Sequence, residues 1–77
     1  MFFLIQYDRR NGQLVSLDRY TKSQRGQAEE ARLAMELRLQ AEGIEREVVM
    51  LEAASEEALR KTHRRYFETL QTLAKAG

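Results

Sequence analysis

Arg60-Lys61-Thr62-His63-Arg64-Arg65-Tyr66-Phe67 is the stretch of this chain richest in groups that could do chemistry. An imidazole such as His63 titrates near neutral pH and often serves as a general base. Cations beside aromatic rings also suit single-stranded nucleic acid, with cations on phosphates and rings on bases. Spacing chooses between these uses. Wound as a helix, Leu59, His63, Tyr66, Leu70 and Leu73 share one apolar stripe, while Arg60, Lys61, Arg64 and Arg65 cover the rest. Glu57 stands four residues before Lys61, and Arg64 four before Glu68, which is the spacing of helical ion pairs. The stretch therefore reads as an amphipathic helix with a solvated charged face and with Tyr66 in the core. The alternative is RNA or DNA binding through Arg60, Lys61, Arg64 and Arg65. With no recognition-helix motif, it would act by shape or on single strands. Thirteen Lys and Arg against twelve Asp and Glu leave a net charge of +1, which is no strong basic field.

A catalytic His63 would need a positioned partner. Asp8 and Asp18 are the acids that could serve, and no spacing brings either to it. Glu42, Glu45, Glu47 and Glu52 form a second acidic group, but a hard cation needs oxygens converging from one tight loop. The chain has no Cys, which removes disulfides and thiolate metal sites. It also lacks a glycine-rich phosphate loop, a nucleophile elbow and a His/carboxylate pair at ligand spacing. The expectation is a protein that is not an enzyme and that has no catalytic residue, cofactor, metal or small-molecule substrate.

The elements that carry these residues follow from periodicity. Apolar, aromatic and β-branched residues predict a strand over 2–9, and a second over 13–20 follows Asn11-Gly12. Register is chosen by which side chains share a face. A three-residue loop, Arg10-Asn11-Gly12, puts Phe3, Ile5 and Tyr7 with Val15 and Leu17, and Gly12 then forms a left-handed bulge. Thr21-Lys22-Ser23-Gln24 matches a capping box for a helix over 24–42, which Gly43 terminates. Val48-Val49-Met50-Leu51 marks a third strand within 45–53. Ser55 caps a second helix over 55–74, with Glu56 and Glu57 in its first turn.

Residues 1–77 are thus one α+β domain of order ββαβα. The expected layout is a two-layer sandwich: a three-stranded sheet in order 2-1-3, with two helices on one face. It resembles part of a ferredoxin-like sandwich, a likeness of layout that implies no activity. Met1 to Ile5 is too short an apolar run for a signal segment or a membrane span. A cytoplasmic protein, of a kind that suits a bacterium, is expected.

Apolar surface is left over. On the first helix Ala28, Ala31, Met35 and Leu39 form the stripe that faces the sheet. Leu33, Ala34, Leu37 and Ala41 form another, nearly opposite. With both helices on one face, Phe2, Leu4 and Tyr20 would point outward from the sheet. A chain of 77 residues has a small core and gains from a partner subunit. The expected function is protein interaction, as a homodimer or with another protein, through one of three rival surfaces: Leu33 and Leu37 on the first helix, Phe2, Leu4 and Tyr20 on the outer sheet face, or the open edge of the third strand.

Overall fold

The computed structural model describes residues 1–68. Strand β1, Phe2–Asp8, is the central strand. It is flanked by β2, Gln13–Tyr20, and β3, Glu47–Glu52, giving the order β2-β1-β3, with both neighbours antiparallel to β1. This is the expected α+β class and strand order. Phe3, Leu4, Ile5, Gln6 and Tyr7 are consecutively buried. A strand covered on both faces has no solvent side and so needs no polar alternation.

The expected register holds through Phe3↔Arg19 and Ile5↔Leu17, then shifts between Gln6 and Tyr7. Beyond the shift Tyr7 pairs with Leu14 and Asp8 with Gln13, so the loop is Arg9 to Gly12 and the extra residue is Val15. Asp8 is the cause. Its Oδ1 accepts the N–H of Arg10 (2.9 Å) and of Asn11 (3.2 Å), and its Oδ2 accepts Asn11 Nδ2 (2.7 Å). An Asp that bonds the backbone two and three residues on closes a wider turn than the three-residue loop. Gly12 takes the expected left-handed conformation, φ 65°. The bulge sends Leu14 to the core and leaves Val15 46% exposed, the reverse of the expected assignment.

Helix α1, Arg25–Glu42, is entered through a 3-10 turn, Lys22–Gln24. Gln24 donates its N–H to the Thr21 carbonyl (3.0 Å), and its side-chain oxygen accepts the Thr21 N–H (2.9 Å). At the other end Gly43 is left-handed (φ 68°), with Gly43 N–H on the Gln40 carbonyl and Ile44 N–H on that of Leu39. Those two bonds satisfy the final carbonyls, as a glycine stop requires.

The two helices do not share a face. Phe3, Ile5 and Tyr7 pack with Leu59 of α2, Glu56–Thr62, and with Tyr66. Arg19, on the Phe3 side, reaches Glu56 at 3.1 Å. Alternation turns Leu4 the other way, and it too is wholly buried. Its cover is α1, which lies against all three strands, buries Ala28 and Leu39, and sets Arg25 over the Phe2 ring at 5.9 Å. The sheet is therefore enclosed between α1 on one side and α2 on the other. The reason is compositional: Phe2, Leu4, Val48 and Met50 make the second face too apolar to leave bare.

The second helix is also shorter than expected. Ser55 caps it as anticipated, its Oγ accepting Ala58 N–H at 3.1 Å. Helix α2 then stops at Thr62, His63 departs from helical angles (φ −124°, ψ 53°), and Arg64–Tyr66 forms a 3-10 turn. Thr62 Oγ1 donates back to the Ala58 carbonyl at 3.0 Å, a bond that competes with helix continuation. The break lays Tyr66 edge-on against Tyr7, with centroids 5.2 Å apart at 85°. The expected extension to 74, with Leu70 and Leu73, lies outside the described residues.

Candidate interaction surface

One face of α1 is committed to the sheet. On the opposite face Leu33 and Leu37 are each 56% exposed, one turn apart, with exposed Ala34 and Ala41 beside them. Arg32 and Glu36 flank the strip on one side, both exposed, and neither forms an ion pair among the described residues. No side chain on the α1 strip adds a reactive group, so its chemistry is that of apolar contact edged by charge.

The other three expected contact residues fare differently. Leu4 is wholly buried beneath α1 and is removed as a surface contact. Phe2 is partly covered by Arg25, and Tyr20, its cross-strand partner, is partly buried as well. The outer sheet face on which these three were expected to meet does not exist as a surface, because α1 occupies it.

Arg60 and Lys61 of α2 and Arg64 and Arg65 of the following 3-10 turn are each engaged inside the chain. Arg60 pairs with Glu56 (3.2 Å), Lys61 with Glu57 (3.5 Å), Arg64 with Glu68 (3.1 Å) and Arg65 with Glu47 (2.6 Å). The Arg60 guanidinium also lies over the Phe67 ring at 4.5 Å. Cations held this way must give up partners before they can meet a phosphate.

Glu47 gathers the most polar contacts. Arg9 Nε (2.8 Å), Arg65 Nη2 and the Tyr66 hydroxyl all donate to its carboxylate, whose side chain is 11% exposed. Burial pushes the carboxyl up, but the hydrogen bonds from Tyr66, Arg9 and Arg65 outweigh it and hold the pKa at about 2. Burial and the Glu47 bond raise the Tyr66 phenol, and the Glu47 bond also raises Arg65. Arg65 further stacks on Tyr66, 4.1 Å from its centroid. By sequence Glu47 stands with Glu42, Glu45 and Glu52 as an acid that could face a cation, and nothing local marks it as the centre of this cluster. Its partners come from three distant parts of the chain, and no local spacing links them.

An open cavity of about 620 Å³ lies between the β1–β2 loop, with Arg9, Arg10 and Asn11, and the connection after α1, with Gly43, Ile44 and Arg46. Guanidiniums and carboxylates both line it, so it has no dominant sign of charge. His63 stands 6.4 Å from the Tyr66 ring centroid, and Asp8 is spent on its turn.

Comparison with protein families, with curated proteins and with solved structures finds no match. Among the described residues no helix is long and apolar enough to cross a membrane.

Proposed function

We propose that this chain is a non-enzymatic interaction domain of the cytoplasm that self-associates as a homodimer through the outer face of α1. The observation that supports it is the exposure of Leu33 and Leu37 on a helix whose other face is already filled. Adjacent leucines on one stripe bury favourably against a matching stripe, at roughly 25 cal/mol per Å². A small domain also gains stability by mass action from any partner that binds its folded form. Nucleic-acid binding through Arg60, Lys61, Arg64 and Arg65 is less favoured, because all four cations are already paired.

The test replaces both leucines, as Leu33→Lys with Leu37→Lys. A folded chain of single mass is expected where the parent has double mass. A variant that is still dimeric would overturn the assignment to α1.

A further inference from the structure

We infer that two copies pair antiparallel along α1, about a two-fold axis at the level of Met35. This rests on the homodimer reading and specifies its geometry. An isologous contact must present one patch to itself, residue for residue. With the axis at residue 35, Leu33 lies opposite Leu37 of the second copy, and Leu37 opposite its Leu33. Both exposed leucines are then covered in each chain, each by a leucine; moving the axis to residue 37 would set Leu33 against only the smaller Ala41.

Charge supports the same register. At about 100° per residue, Arg32 and Glu36 lie on one flank of the leucine strip. A two-fold axis perpendicular to the helices keeps that flank beside the same flank of the second copy. Arg32 of one chain then stands about 3 Å along the axis from Glu36 of the other, given a rise of about 1.5 Å per residue. Two reciprocal ion pairs form from side chains that have no ion-pair partner among the described residues. The other flank carries Ala34 and Ala41, small residues that let the helices approach.

Two measurements on the full chain test this. Arg32→Glu and Glu36→Arg each place like charges together, and each alone should weaken association about tenfold. An equimolar mixture of the two variants restores both pairs in the mixed dimer and should recover parental affinity. Failure of the mixture to recover would overturn the register. The second measurement uses the absence of cysteine: Arg38→Cys, Glu42→Cys and Gln27→Cys, all exposed and off the leucine strip, each carry one spin label. Antiparallel pairing puts equivalent labels about 9, 21 and 24 Å apart along the axis, in that order. Equal separations at all three positions would mean parallel helices and contradict the inference. Double mass with no dipolar coupling at Arg38→Cys would place the dimer on another surface, overturning both α1 assignments. Single mass throughout would overturn self-association itself.

Discussion

The hydroxyl of Tyr66 donates a hydrogen bond to the carboxylate of Glu47, tying the 3-10 turn after α2 to the first residue of β3. It adds to the Leu59 core and the Arg19–Glu56 pair on that side of the domain. The link depends on an ionised carboxylate. The Glu47 pKa falls from 4.5 to about 2 on folding, so its stabilisation is complete above pH 4.5 and disappears as pH falls toward 2. Its arginine partners are 58% and 75% exposed, which argues for discounting the full shift. The parent should lose about 2 kcal/mol more than Glu47→Gln between these limits. Urea titrations at stepped pH measure the difference. Parallel pH profiles for the two proteins would contradict it.

Tyr66→Phe keeps the ring on Tyr7 and removes only the hydroxyl. Glu47 retains two guanidinium donors, so the expected cost is about 1 kcal/mol. Equilibrium unfolding reads it. A neutral result would show that the arginines alone satisfy the carboxylate.

Leu4 and Ile5 point to opposite faces of β1, and both are fully buried. Leu4→Ala should therefore destabilise by about 2–4 kcal/mol, as much as an equivalent truncation of Leu59. Leu33→Ala, on the exposed strip, should cost the dissociated chain about 0.5 kcal/mol or less. A sheet with one bare face would show a small cost at Leu4, and that result would contradict the enclosed sheet.

Two glycines of the α1 region should respond in opposite directions. Gly43 has φ +68°, so Gly43→Ala forces a side chain into the left-handed region, at a cost of about 1 kcal/mol. Gly26 sits in the helix, and a Cβ there meets nothing within 4 Å. Gly26→Ala should gain about 0.5–1 kcal/mol by helix propensity. Thermal melts of both variants at high dilution compare them.

Strand order and the ends of α1 were legible because each rests on local signals: the apolar run in β1, the Thr21–Gln24 box and Gly43. The side on which each helix lies was not legible. That choice depends on whether Leu4, Val48 and Met50 need cover, a sum over three strands that no single segment states. The hairpin failed by one residue because the Asp8 side chain, not Asn11-Gly12 alone, shapes the loop. Helix α2 was overrun because the stripe Leu59, His63, Tyr66 keeps helical spacing through the break. Of the candidate contacts, Leu33 and Leu37 were visible as a second stripe and are exposed. Leu4 is lost as a contact because α1 covers the face on which it lies.

Light scattering across a dilution series tests the central claim of self-association most directly. The expected mass is twice that of the 9.0 kDa chain at high concentration, falling toward one chain on dilution. The Leu33→Lys/Leu37→Lys variant should stay at one chain throughout. A parent mass of one chain at every concentration would contradict self-association, and the α1 strip would then have no role as a dimer surface.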